Sequence, residues 1–334
     1  MLAAVGYASA QARTRARRAR LLEGGTWREL LNASGRERAL DILAETAHPH
    51  VAQTEHVERT LRRHVYRDTR SLADALPRRG RELLRWYASR FEVQDLKLLI
   101  RALHHRRSID EALAGTTRQA DDDPIVAELA AVRSLDALRG VMAGRPYGKA
   151  LDDAWDRFRA ERRPFFLEVA LDLAFQQGLV SRIEALGRGD RQDAETLLGR
   201  WLARGNLLAA ARYRNVAGMR PEEVVNFCLH KDFGGGLAMV QRVAAGAPLQ
   251  VEAAALGVEL PPDASERENV RALEKRTEAL RRLEAHRRFA RSPFGIGLPL
   301  AYLIELEAEV DDLVRLLEAK RQGRDVDLPE RPGA

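Results

Sequence analysis

The chain has little of several things, and each scarcity excludes something. Among 334 residues there is one cysteine, Cys228. That rules out a disulfide framework and any cysteine-based zinc site, and it fits a reducing, cytosolic compartment. No stretch reaches the roughly 18 uncharged apolar residues that a membrane span requires. The nearest, Phe294 to Ile304, is stopped by Glu305 and Glu307. The arginines from Arg13 to Arg20 are not followed by a long apolar run, so the N-terminus lacks the pattern of a secretory signal. β-Branched residues are sparse and alternate nowhere over a strand's length, which argues against a β-fold. Aromatics make up only 6% of the residues, and five of the 55 basic residues are lysine, namely Lys97, Lys149, Lys231, Lys275 and Lys320. The arginine excess reads as the bias of a GC-rich genome.

What is present is a globular composition, 45% apolar and 31% charged, rich enough to bury a core and too ordered for a disordered chain. The length exceeds the roughly 250–300 residues at which one core stops growing, so two or three subdomains are expected. Net charge is uneven, +9 over residues 1–110 and −3 over the remainder. A basic balance permits nucleic acid as a partner without requiring it.

Segments rich in Ala, Leu, Arg and Glu, cut by Pro and Gly, predict an all-α fold. Helices are expected over residues 4–22, 36–45, 52–75, 81–105, 125–143, 151–160, 164–186, 194–214, 221–229, 268–290 and 299–321. Breaks are expected at Gly24-Gly25, around Pro49, at Pro77 and at residues 121–124, 145–146, 187–189, 234–236, 261–262 and 293–297, and the tail from Gly323 is expected to fray.

An internal repeat is more informative than any single motif. Residues 92–103, EVQDLKLLIRAL, and 309–320, EVDDLVRLLEAK, are identical at six of twelve positions. The pairs include Asp95 with Asp312, Leu96 with Leu313 and Leu99 with Leu316. A weaker copy aligns Asn206-Leu207 with Asp95-Leu96. A second pattern, a short helix and break before an aromatic or imidazole group, recurs over 36–48, 135–147 and 221–233. One copy of each per hundred or so residues implies three related helical units, 1–110, 111–222 and 223–334.

Few residues are arranged for chemistry. His48, His50, His56 and His64 cluster near Glu55, but their spacing matches no zinc motif, and they read as solvated and capping histidines around Pro49. His104 and His105 are expected on different helix faces. Phe294-Gly295-Ile296-Gly297 lacks the third glycine and preceding strand of a dinucleotide cradle, and Gly234 to Gly236 read as a helix stop. Cys228, between Phe227 and Leu229, is expected to be a buried, inert thiol. Asp95 and Asp312 could form an acid/base pair, but their matched repeat positions mark them as structural equivalents. No catalytic residue, cofactor site or metal site is predicted. The remaining candidate is the basic helix carrying Arg13, Arg15, Arg17, Arg18 and Arg20, whose offsets spread charge around the cylinder. It would suit an acidic protein partner, anionic lipid or nucleic acid, although no stacking aromatics lie between the arginines.

Several stretches together resemble the C subunit of A-type/V-type rotary ATPases, similar to the d subunit of eukaryotic vacuolar ATPases. They are Gly6-Tyr7-Ala8-Ser9-Ala10 leading to Leu21-Leu22, Arg36–Thr46, Phe91–Ala102, Arg200–Arg214, and the run Pro293-Phe294-Gly295-Ile296-Gly297-Leu298-Pro299-Leu300-Ala301-Tyr302-Leu303 with the helix to Lys320. His48 stands where a tyrosine is usual, whereas Tyr147 matches in the second copy. Asp311-Asp312 replaces a basic residue followed by Asn, and residues 234–265 match only loosely. The resemblance implies three tandem helical domains in a funnel-like, pseudo-threefold arrangement. It implies a non-catalytic rotor adaptor, one copy per complex, joining the central stalk to the membrane proteolipid ring and passing torque between ion translocation and ATP synthesis or hydrolysis. The chain would then be cytoplasmic, peripheral on the inner face of the membrane. Asp95, Leu96, Asn206, Leu207, Gly295, Gly297, Tyr302, Asp312 and Leu313 become structural positions of the motif, and Arg13, Arg15 and Arg17 become candidate partner contacts. The alternatives are a helical protein-binding scaffold and a basic nucleic-acid-binding protein.

Overall fold

A computed structural model describes residues 2–46, 48, 51, 54, 56–289, 295–326 and 328. Among the described residues the regular structure is helical and no strand occurs, in accord with the all-α expectation. The chain opens with α1 (Leu2–Arg18), α2 (Gly24–Asn32), α3 (Arg36–Ala44), α4 (Val57–Asp74), α5 (Arg78–Ala88), α6 (Arg90–His104), α7 (Ile109–Ala114) and α8 (Ile125–Ala130). It continues with α9 (Leu135–Met142), α10 (Gly148–Glu161), α11 (Phe165–Glu184), α12 (Arg188–Ala194), α13 (Arg200–Asn215) and α14 (Pro221–Asn226). The last elements are α15 (Gly236–Ala244), α16 (Leu249–Ala255), α17 (Glu266–Phe289) and α18 (Gly297–Arg321). Contacts divide these into two compact units, one of Met1–Ala102, Arg107–Ala131 and Ala285–Ala334, the other of Leu103–Arg106 and Val132–Glu284.

In the first unit, α1, α3 and α4 pack on α18, and α5 packs on α4. The leucine and valine spacing of the last helix would suffice for a one-sided apolar seam. The structure buries more: every residue from Leu298 to Ile304 is covered, and the seam Leu306, Val310, Leu313 and Leu317 continues below them. A helix apolar all round belongs inside, with others wrapped around it. Its start is set locally. Gly295 has φ 125°, a region a side chain avoids, and Pro299 falls in the first turn, where its missing N–H leaves no bond unmade. Pro293 and Phe294 of the same motif lie outside the described residues.

The second unit has its own core, in which Leu207 and Ala211 of α13 meet Val224, Met239, Val240, Val243 and Leu273. Alongside, α10 packs against α11.

Five expectations change. The helix predicted over 81–105 is two, parted at Ser89, whose hydroxyl bonds back to the Trp86 carbonyl at 2.6 Å. The one predicted over 125–143 is also two, because Ser134 caps a new start by accepting the Ala137 amide at 3.1 Å. Gly24-Gly25 opens α2 and does not merely end what precedes it. Gly234 to Gly236 lead into α15, and Asp232 Oδ1 accepts all three of their amides at 2.8 Å, so the glycines begin a helix where a stop was expected. A π-turn, Glu195–Gly199, also interrupts the helix predicted over 194–214.

Two glycines in the second unit separate close approach from mere flexibility. A methyl on Gly148 would overlap the Met142 carbonyl oxygen, whereas one on Gly205, inside α13, would meet nothing within 4 Å. In urea unfolding, Gly148→Ala should lose at least about 2 kcal/mol, while Gly205→Ala should gain ~0.5–1 kcal/mol from its helix preference.

Candidate partner interface

The first helix sorts its arginines by face. Tyr7, Ala10, Gln11 and Thr14 are buried at helical spacing, which turns the 17–18 position inward. Arg17 donates to Ser71 Oγ at 2.9 Å and lies 3.6 Å from Asp68. Arg18 forms a fork on Glu305, 2.7 and 3.2 Å, and its guanidinium stacks over the Phe289 ring at 3.9 Å. Arg13, Arg15 and Arg20 point to solvent, and none pairs with a carboxylate among the described residues. The three predicted contacts are therefore not equivalent: Arg13 and Arg15 are presented outward, and Arg17 holds α1 to α4. The positively charged end of α1 also suits the negative end of its helix dipole.

The terminal helix supplies the complementary charges. Glu305 receives Arg18. Glu307 accepts the Tyr87 hydroxyl at 2.8 Å and pairs with Arg90, whose guanidinium stacks 3.8 Å from the Tyr87 ring. Glu309, buried, accepts the Leu22 amide at 2.7 Å and lies 2.9 Å from His48 Nε2. Tyr302 donates to Asp68 at 2.6 Å, and burial raises its pKa far above the ordinary tyrosine value, which keeps it a donor. Sequence reasoning took Glu305 and Glu307 only as stops to an apolar run. The signal for their role is their setting: carboxylates at 305, 307 and 309 within the otherwise apolar stretch 298–310 require partners.

The repeat positions show one local solution in two chemistries. Asp95, mid-helix and buried, accepts the Thr117 amide at 2.7 Å and the Arg118 amide and Nε at 3.3 and 3.0 Å. Asn206 accepts the Leu229 amide at 2.8 Å and donates to the Leu229 carbonyl and to Asp232 at 2.8 and 2.9 Å. Each side chain pins a loop lying 22 or 23 residues further on. Leu96, Leu207 and Leu313 are fully buried beside them. Asp312 is likewise buried, with Arg315 3.8 Å away. Both oxygens of Asp95 are occupied by these bonds, as befits a brace. Gly297 is the buried first residue of α18.

Among the other sequence candidates, His48 and His64 meet edge to face with ring centroids 5.6 Å apart. His56 is exposed at the start of α4, and His50, Pro49 and Glu55 lie outside the described residues. His104 and His105 do not diverge as expected: their rings touch edge-on at 4.8 Å, because α6 ends at His104 and His105 is free of helical geometry. Cys228 is buried, and burial pushes its thiol up to about 12. No group of three candidate metal ligands occurs among the described residues, and none of their helices is long and apolar enough to cross a membrane.

A family model described as ATP synthase (C/AC39) subunit matches residues 10–331. No curated protein matches the chain.

Two tests separate bracing from display. Arg17→Glu sets a carboxylate against Asp68 and should lower the melting temperature by roughly 3 °C or more, while Arg13→Glu and Arg15→Glu should leave it within about 1 °C. Asn206→Asp turns a donor toward Asp232 and the Leu229 carbonyl into an acceptor. Urea unfolding should show a loss of about 2–3 kcal/mol.

Proposed function

The chain belongs to the ATP synthase (C/AC39) subunit family, and on that footing we propose that it is the rotor adaptor between the central stalk and the membrane proteolipid ring. Members of the family are structural subunits of rotary ATPases and not catalytic enzymes. The observation that carries the proposal is the extent of the match, nearly the whole chain. The adaptor seats on the ring, receives the foot of the stalk and passes torque between ion translocation and ATP synthesis or hydrolysis. It works as one copy per complex, peripheral on the inner face of the membrane.

Several features support this reading. A torque-bearing part needs stiffness, which close-packed helices supply, and a terminal helix held through one buried and two half-buried carboxylates is a stiff element. The polar groups of its interior brace helices and loops. Arg13 and Arg15 offer exposed cations, without a carboxylate partner among the described residues, to an acidic partner, where charge sets encounter rate and register more than affinity. The matched bracing by Asp95 and Asn206 supports a repeated helical unit, and we assign the copies to 1–110, 111–222 and 223–334, with each brace reaching into the start of the next copy.

Tagged full-length protein should capture both the purified central stalk and the detergent-solubilised proteolipid ring, with no capture of duplex DNA. Arg13→Glu/Arg15→Glu at moderate salt should weaken capture of at least one of the two. A folded, helical protein that binds neither stalk nor ring would overturn the adaptor reading.

A further inference from the structure

In the second unit, two helices end beside one another. His104, the last residue of α6, and Phe158, in the last turn of α10, meet ring to ring with centroids 6.1 Å apart. Within a turn of that contact the backbone enters the left-handed region twice, at Arg106 with φ 51° and at Arg162 with φ 54°. Among the described residues these are the two positions other than glycine with a positive φ. The turns after α9, α13, α15, α16 and α18 use Gly144, Gly218, Gly246, Gly257 and Gly323, the residue such a turn favours. An arginine there costs stability that glycine would not. The end of a helix welcomes a cation, but any position of the last turn offers that benefit without the strain. Both side chains are exposed, and neither pairs with a carboxylate among the described residues. Their gain must come from outside the chain.

We infer that these two arginines, with the aromatic cluster at the start of α11, form a docking surface for a protein segment carrying carboxylates beside an apolar side chain. The identity of that partner rests on the adaptor reading, in which it is the central stalk, the water-soluble one of the two neighbours. Arg159, exposed, adds a third cation without a carboxylate partner among the described residues. Arg163, 4.0 Å from Glu161, stands 5.6 Å over the rings of both Phe165 and Phe166. Phe165 meets Tyr213 and Phe227 edge to face at 5.7 and 5.4 Å. Guanidinium forks match carboxylates two bonds at a time, and arginine beside rigid aromatic rings is the composition in which protein interfaces concentrate binding energy. An anionic membrane would be met by apolar side chains that protrude into it, whereas Phe165, Tyr213 and Phe227 are half-buried and locked against one another. The turns themselves are held: the Arg162 amide donates to the Phe158 carbonyl at 2.7 Å and the Arg107 amide to the Ala102 carbonyl at 2.8 Å. The arginines are thus presented from fixed backbone, which lowers the ordering cost of binding.

Binding kinetics of the full-length protein on immobilised central stalk test this. Arg106→Gly/Arg162→Gly is the informative variant, because glycine removes both charges and suits both turns. Its melting temperature should equal or exceed that of the wild type. Association with the stalk should slow by about tenfold in dilute buffer, a loss that shrinks in about 0.5 M salt. Capture of the proteolipid ring should stay within about twofold. Arg159→Glu/Arg163→Glu should slow stalk association likewise while leaving both turns alone. Wild-type association in both folded variants would overturn this surface and leave the adaptor reading standing, whereas a wild-type protein that does not bind the stalk would overturn both. Arginine-dependent binding to phosphatidylserine vesicles, with stalk association unchanged, would make the patch a membrane contact and overturn the protein partner.

Discussion

A helix buried along most of its length has little water to which it can send a polar group, and this constraint organises the first unit. The terminal helix carries Glu305, Glu307 and Glu309 into the core of that unit, and an unpaired buried carboxylate is among the costliest defects a fold can hold. The surrounding elements are placed so that each acquires donors: Arg18 on one, Tyr87 and Arg90 on the next, Leu22 and His48 on the third. Arg18 and Glu305 are 287 residues apart in sequence. The first unit is therefore closed by contacts between distant parts of the chain, an arrangement whose loop-closure cost must be met before its packing is gained.

The repeated helix shows how one geometric need is met by different residues. At Asp95 and at Asn206 a buried side chain accepts an amide from a loop 22 or 23 residues on. The loop after Asp95 offers a guanidinium as well, and a carboxylate answers it. The loop after Asn206 instead presents a carbonyl and the carboxylate of Asp232, which demand a donor, and an amide supplies it. Asp232 in turn fills the amide nest of Gly234 to Gly236. Those glycines resemble an anion cradle by composition, yet the anion is the chain's own.

This pattern also explains what the sequence disclosed and what it hid. Apolar periodicity and Pro/Gly punctuation revealed the all-α class and most long helices, because burial and backbone freedom are local, residue-by-residue properties. They blurred boundaries decided by single hydrogen bonds, such as the Ser134 cap and the Ser89 back-bond, and passed over the short helices α2, α7, α15 and α16, too brief for periodicity to register. The repeat flagged Asp95, Asn206 and Asp312 as structural. It could not say what they bond, since Thr117, Arg118 and Leu229 lie outside the repeated segment. His48 was visible as a departure at a usually aromatic position, but its partner Glu309 is 261 residues away, and no local signal joins them.

Net charge is the clearest case of a sequence quantity that overstates a surface. The +9 of residues 1–110 invites a broad basic face. The structure spends much of it inward or locally: Arg17 and Arg18 brace α1, Arg90 is stacked and paired beneath α18, and Arg63 and Arg67 clamp the Asp121-Asp122 loop. What remains exposed and without a carboxylate partner among the described residues is a small set, Arg13 and Arg15 on α1 and Arg20 just beyond it, set by the geometry of this stretch and not by the count of arginines. A sparse set of exposed cations on a rigid helix suits a protein partner with matching acidic positions better than a polyanion, whose affinity grows with the number of phosphates neutralised. The rigidity of α1 is what gives those few charges a defined position. That rigidity comes from the two inward arginines that follow Arg15, so bracing and display are alternate faces of the last turns of the helix.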